Sequence, residues 1–292
     1  MEEARMRFPA GPYCGRVSVL TTKHGKQRAV ARPLRAALGL IVTLPEEIDT
    51  DLLGTFTGEV ERAGTPRDVA ISKARLGMRA SGIPLGLASE GSFGPHPLIP
   101  VLACDHEILA FVDDDQEITV VESLLTENTN FGHCTARTLI DLAALMKQAQ
   151  FPSHALIVRP NDGIKPGFMF KGIADPETLE DAVNRCAAAS ADGMAHVETD
   201  MRAHVNPTRQ KAIRRVAFRL ARRLASPCPS CGAPGWGRTR VEKGLPCQAC
   251  GTPTELVRQQ IFGCPRCNHT DVRPRSDGWQ YAEEGQCPYC NP

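Results

Sequence analysis

A chain of 292 residues with 42% hydrophobic and 23% charged residues has the composition of a globular protein. Its formal net charge is +1, and no apolar run approaches the ~18–20 residues of a membrane span, so a bilayer-spanning class is excluded. Aromatic residues make up only 5%, which leaves the core to Leu, Ile, Val and Ala.

The charge is unevenly spread. From Pro207 onward there are 14 Lys/Arg against 6 Asp/Glu, whereas the preceding residues carry 20 against 27. The opening Met1-Glu2-Glu3-Ala4-Arg5 lacks the basic-then-apolar pattern of a signal peptide, and a cytoplasmic protein with reduced cysteines is expected. The length suggests two domains. Ser226-Pro227 marks the boundary, dividing an α/β domain at 1–225 from a cysteine-rich domain at 226–292.

Taken in order, Val17–Leu20 reads as a strand, followed by the polar turn Thr21–Lys26. A helix then runs to about Leu38 and stops at Gly39, and Leu40–Leu44 is a second strand. In open α/β sheets, ligands occupy the loop at the end of such a first strand. Thr65 is the expected N-cap of the next helix, with Pro66 at its first position, Asp68 in its first turn and Gly82 at its end. Strands are expected at Ile83–Ala88, Leu98–Cys104, Glu107–Val112 and Glu117–Val121, the short series suggesting an antiparallel portion. Thr135–Gln150 and Pro176–Ser190 read as helices, and Ala155–Val158, Gly167–Lys171 and Met194–Val197 as strands. Asn206-Pro207 opens a final helix to about Ala225, with Ile213, Val216, Ala217, Leu220 and Leu224 at helical spacing. The fold class that follows is α/β, a mixed sheet flanked by helices, ending in a small Cys₄ zinc-ribbon region.

Four Cys-x-x-Cys pairs carry that last expectation: Cys228/Cys231, Cys247/Cys250, Cys264/Cys267 and Cys287/Cys290. Each pair offers two thiolates from one tight knuckle, and two pairs complete a tetrahedral zinc site. Fifteen residues separate the first two pairs and nineteen the last two, both within the ~15–20 residue spacing of four-cysteine sites. Two structural Zn²⁺ ions are therefore expected. Consecutive pairing gives two ribbons; pairing first with third and second with fourth gives a cross-brace, and the sequence leaves both open.

A second constellation lies between Glu59 and Phe93. It contains Glu61, Gly64-Thr65, a helix with Ala70 and Lys73-Ala74, and a strand ending in Ala88-Ser89-Glu90-Gly91. In these residues the chain resembles the inosine/xanthosine triphosphate pyrophosphatase superfamily over about residues 16–95. That family has a Glu, a Gly-Thr turn, a helix with Asn-Ala and Lys-Ala, and a strand ending in Ala-Asp-Asp-Ser-Gly-Leu. Upstream, Thr21-x-Lys23-x-x-Lys26 is similar to its first-loop motif, with Lys23 in place of an asparagine. Arg209-Gln-Lys211-Ala212 is faintly similar to its late His-Arg-Gly-Lys-Ala, without the histidine.

The resemblance implies a nucleoside-triphosphate pyrophosphohydrolase, and the residues suit that chemistry. Lys23, Lys26 and Lys73 can clamp a triphosphate, with Thr65 in the turn beside it. Glu61 and Glu90 can hold Mg²⁺, and Glu59 or Asp68 can orient water. Gly91 and Gly94 would let the backbone approach phosphate. The segment Glu198–Asn206, dense in polar groups, reads equally as part of a site or as the start of a helix. The rival reading is a binding module, in which the basic helix 207–225 and the zinc tail contact nucleic acid or another protein.

Overall fold

The computed structural model describes residues 11–22, 25–45, 64–97 and 99–292. Its first sheet has five strands in the order β2-β1-β3-β4-β5. β1 (Val17–Thr21) is parallel to both β2 (Ile41–Thr43) and β3 (Leu85–Pro95). β4 (Ala103–Asp113) and β5 (Ile118–Thr126) extend the sheet as an antiparallel meander.

Two helices connect the parallel strands. α1 (Gln27–Leu38) links β1 to β2 and α2 (Pro66–Ser81) precedes β3. α1 packs with α5 (Pro207–Leu224) on one sheet face, burying Val30 and Leu34 against Ile213, Val216 and Leu220, with Leu87, Leu109 and Phe111 beneath. α2 covers the other face, where Ala74 and Met78 meet Val19, Ala88 and Val112. The expected mixed sheet flanked by helices is thus the fold.

The second sheet is antiparallel, ordered β6-β9-β7-β8. It is built from β6 (His133–Ala136), β7 (Leu156–Pro160), β8 (Phe170–Ile173) and β9 (Ala195–Thr199). Its own core joins Leu156, Val158 and Val197 to α3 (Ala143–Ala149) and α4 (Pro176–Ala189). The third sheet, in the tail, has the order β10-β11-β12 from β10 (Gly237–Lys243), β11 (Val257–Gly263) and β12 (Thr270–Pro274).

Two expected elements differ. The strands Leu98–Cys104 and Glu107–Val112 are one eleven-residue strand, β4, starting only at Ala103. A turn precedes it, closed by the His96 and Leu102 amides donating to Leu102 and Ile99 carbonyls. The helix expected from Thr135 starts later. Residues His133–Ala136 pair with β9, and the Asp141 carboxylate accepts from the Thr138 amide in a capping box that opens a short 3₁₀ turn ahead of α3.

Candidate active site and cysteine tetrads

The order 2-1-3 places a topological switch between β1 and β3, because β2 and β3 flank β1 on opposite sides. Ligands in open α/β sheets bind outside the carboxyl ends of strands at such a point. β1 ends at Thr21, opposite Ala88, while β3 runs on through Ser89, Glu90 and Gly91. Around the end of β1 lies a cluster of buried ionisable groups.

Lys26 precedes the first turn of α1 and is only 8% exposed; its Nζ donates to the Ser89 carbonyl at 2.9 Å. Lys73 reaches from α2 to Glu90, Nζ to Oε1 2.6 Å, with both side chains largely buried. Arg209, in the first turn of α5, donates through Nε to Glu107 Oε1 at 2.6 Å and through Nη1 to the Met201 carbonyl. Glu107 is fully buried and Arg209 nearly so. The guanidinium also lies over the Phe93 ring, 5.0 Å from its centroid, and Phe93 stacks on Phe131 at the start of the second sheet. Asp105, two residues before Glu107 on the same side of β4, is 1% exposed.

Close packing of like and unlike charges out of water shifts these groups. Burial, and then the neighbouring Arg209, push the Lys26 ammonium down to about 8. Burial, and then the Glu107 carboxylate, push Asp105 up to about 8. Among the described residues, Asp105 Oδ1, Glu107 Oε2 and Ser89 Oγ are buried without a hydrogen-bond partner, as are the Thr21 and Thr22 hydroxyls at the end of β1. Buried acceptors beside cations suit an ion, a water or a ligand group.

Three residues singled out from the sequence, Lys26, Lys73 and Glu90, are therefore brought together. Thr65 is not part of the cluster: its hydroxyl accepts from the Asp68 amide and its own amide donates to the Asp68 carboxylate, so both form the capping box of α2. Those hydrogen bonds hold the exposed Asp68 below the usual carboxylate range. Lys23, Glu59 and Glu61 lie outside the described residues. Gly91 makes room for an ion pair rather than for phosphate. A Cβ there would fall 2.6 Å from Glu107 Oε1 and closer still to Arg209 Nη2.

Segment Glu198–Asn206 serves the start of α5. Asn206 caps it by accepting from the Arg209 amide, and its Nδ2 donates to Asn130 Oδ1 and to the Asp200 carbonyl. Asp200, fully buried, is held by the Arg202 guanidinium and the Gly172 amide. This scaffold fixes the first turn of α5 and so aims Arg209. The residues that sequence reasoning missed are Asp105 and Glu107. The signal was present: two carboxylates at alternate positions within an apolar strand, concealed when that stretch was divided in two.

In the tail, the cysteines form two tetrads, Cys228/Cys231/Cys264/Cys267 and Cys247/Cys250/Cys287/Cys290, each with ligating atoms within 4.8 Å of one another. The pairing is the cross-brace: first pair with third, second with fourth. Strand register dictates it. Antiparallel pairing of Gly237 with Gly263 brings the knuckle before β10 next to the knuckle after β11. The second knuckle lies between β10 and β11, and the chain beyond β12 returns to it through Ala282, which donates to the Pro246 carbonyl and accepts from the Gln248 amide. Trp236 stacks on His269 at 5.2 Å across the first tetrad's two halves.

The sulfur spacing identifies what the tetrads suit. Sγ–Sγ distances are 3.8 and 3.6 Å in the first and 3.9 and 3.6 Å in the second. A disulfide needs about 2.05 Å. Four sulfurs at the ~2.3 Å zinc–thiolate distance stand roughly 3.8 Å apart at the corners of a tetrahedron. Amide donors support the knuckles: Arg266 and Cys267 N–H point at Cys264 Sγ at 3.3 and 3.4 Å. Gly232 and Gly251, with φ of 72° and 73°, close the first two turns in the left-handed region that a side chain resists.

Fold and sites together define an α/β protein with a buried charged cluster at its switch point and a cross-braced tail able to hold two metal ions. The profile of the family described as "Domain of unknown function (DUF6671)" matches residues 73–292, and the chain belongs to that family. The matched span contains Lys73, Glu90, Asp105, Glu107, Arg209 and all eight tetrad cysteines, but not Lys26. No curated protein and no solved structure matches the chain.

Proposed function

We propose that the charged cluster at the end of β1 binds the phosphates of a nucleotide and hydrolyses a phosphoanhydride, as the likeness of residues 16–95 to nucleoside-triphosphate pyrophosphatases implies, and that two structural zinc ions hold the tail. One observation carries the enzymatic reading: around the end of β1, buried Lys26 lies within electrostatic reach of both the Lys73–Glu90 pair on the α2 face and the Glu107–Arg209 pair on the α1–α5 face. Lys26 and Lys73 supply charge for a polyanion, while Arg209, locked by Glu107, fixes the field. An arriving phosphate competes for the Lys73 ammonium and releases Glu90. Water then attacks phosphorus, the anhydride oxygen leaves with the bonding electron pair, and Glu90 takes the water's proton.

A magnesium ion would be held by the orphaned oxygens of Asp105 and Glu107, displacing the proton that burial keeps on Asp105. It would supply Lewis-acid stabilisation of the phosphoryl oxygens, using one or two carboxylates and the substrate's own phosphates. The tetrads are given a structural role because four thiolates leave zinc no open position.

The test is release of phosphate and pyrophosphate from a panel of standard and deaminated nucleoside triphosphates with Mg²⁺, for wild type and Glu90→Gln. Pyrophosphate release that falls at least a hundredfold in a folded Glu90→Gln variant is expected. No release from any substrate, or release indifferent to Glu90, refutes the reading.

A further inference from the structure

α1 and α5 lie side by side on one face of the five-stranded sheet, and neither contains an Asp or Glu. Their apolar sides are consumed by the core. Outward, α1 presents Arg28, Arg32 and Arg35 to solvent. α5 presents Lys211, Arg214, Arg215, Arg219 and Arg222, with Phe218 48% exposed among them. Arg219 is anchored through the Ser123 carbonyl. Among the described residues, no carboxylate pairs with Arg28, Arg32, Lys211, Arg214, Arg215 or Arg222.

This arrangement does not serve stability. Arg28 with Arg32, Lys211 with Arg215, and Arg215 with Arg219 are like charges at i,i+4, each destabilising by a few tenths of a kcal/mol. Nor does it suit a bilayer surface, which needs an apolar face to insert. Ile213, Val216, Ala217 and Leu220 of α5 are fully buried beneath the sheet-facing side. A row of cations spanning about 16 Å from Lys211 to Arg222, flanked by a second row and interrupted by one exposed aromatic ring, matches a phosphate backbone with a base to stack.

We propose that the α1–α5 layer binds single-stranded nucleic acid, through phosphate contacts from both helices and stacking on Phe218. The surface differs from a reading of helix 207–225 alone: Arg209 and Arg223 face inward to Glu107 and Glu122, while α1 contributes three of the eight exposed cations. The proposal does not rest on the hydrolase reading.

The experiment is fluorescence anisotropy with labelled twenty-nucleotide oligo-dT and oligo-U, titrated with the full chain between 20 and 200 mM salt. The proteins are wild type, Arg28→Gln/Arg32→Gln, Arg214→Gln/Arg215→Gln and Phe218→Ala. Circular dichroism and metal content establish that each is folded. Binding at low salt is expected, with log K falling linearly in log salt. Each lost phosphate contact should reduce the slope by about 0.7. Phe218→Ala should weaken binding roughly 5- to 150-fold. Comparing the two oligonucleotides assigns the strand as DNA or RNA. Absence of binding at 20 mM salt overturns the proposal, as do slopes unchanged in both double variants. Tighter association with phosphatidylserine vesicles than with either oligonucleotide also overturns it.

Discussion

Gly91 shows how one missing methyl group decides whether a buried ion pair can exist. Its Cα faces the Glu107–Arg209 contact, and any Cβ would have to displace one partner. Breaking a buried pair costs on the order of 3–5 kcal/mol, because the charge left behind stays out of water. Gly91→Ala should therefore lower stability by about 1–3 kcal/mol through overpacking, and Glu107→Gln by about 3 or more, both read from urea unfolding. Asp105 carries a pH signature. Its carboxyl is raised in the folded protein from 3.8 to about 8, so the folded state binds the extra proton. The stability it contributes is complete below about pH 4 and is lost as pH rises through 8. Wild type should lose stability relative to Asp105→Asn between pH 5 and 8. Parallel pH profiles for the two proteins would show that Asp105 ionises normally.

Among the elements, α2 separates capping from chemistry. Thr65 and Asp68 start the helix, whereas Lys73, two turns further on, joins the buried cluster by pairing with Glu90. Thr65→Ala should cost about 1 kcal/mol of stability and leave the proposed hydrolysis by the folded protein unchanged. Lys73→Gln should do the reverse in function: a large loss of turnover from the ammonium that pairs with Glu90. If Thr65→Ala instead abolishes turnover in a folded protein, the α2 N-terminus itself contacts substrate. α5 has a double loyalty. Its first turn aims Arg209 inward, its apolar stripe builds the core, and its remaining cations face solvent.

For the whole molecule, the tail is tied to the body at β5 and α5. Arg223 bonds the Gly235 carbonyl and Glu122, and Arg266 reaches Gln116. The small three-stranded sheet of the tail offers little apolar burial, and its eight thiols are gathered in two interleaved sets able to hold metal in compensation. Protein purified without added metal should contain about two zinc ions per chain. Their removal by a chelator should unfold residues 226–292 while the five-stranded sheet persists, measurable by hydrogen exchange. Because the tetrads interleave, Cys228→Ser should loosen the knuckle of Cys264 and Cys267, beside it at the open end of the β10–β11 hairpin. Under consecutive pairing it would have loosened Cys247 and Cys250 instead.

What the sequence determined by itself was local. Cys-x-x-Cys knuckles, the Thr65–Asp68 cap and the periodic stripe of α5 depend on neighbours within a turn or two, and all are found where the residues place them. Lys26, Lys73 and Glu90 were likewise legible, since a short motif ties each to the end of a strand or the face of a helix. The tertiary structure decided what depends on register. Partners in the tetrads stand 33–43 residues apart and follow from how β10 pairs with β11. Glu107 and Arg209, 102 residues apart, meet only because α5 packs back across the sheet. The joining of α1 and α5 into one basic surface has the same origin: neither helix alone holds the partner row that the packed core sets beside it.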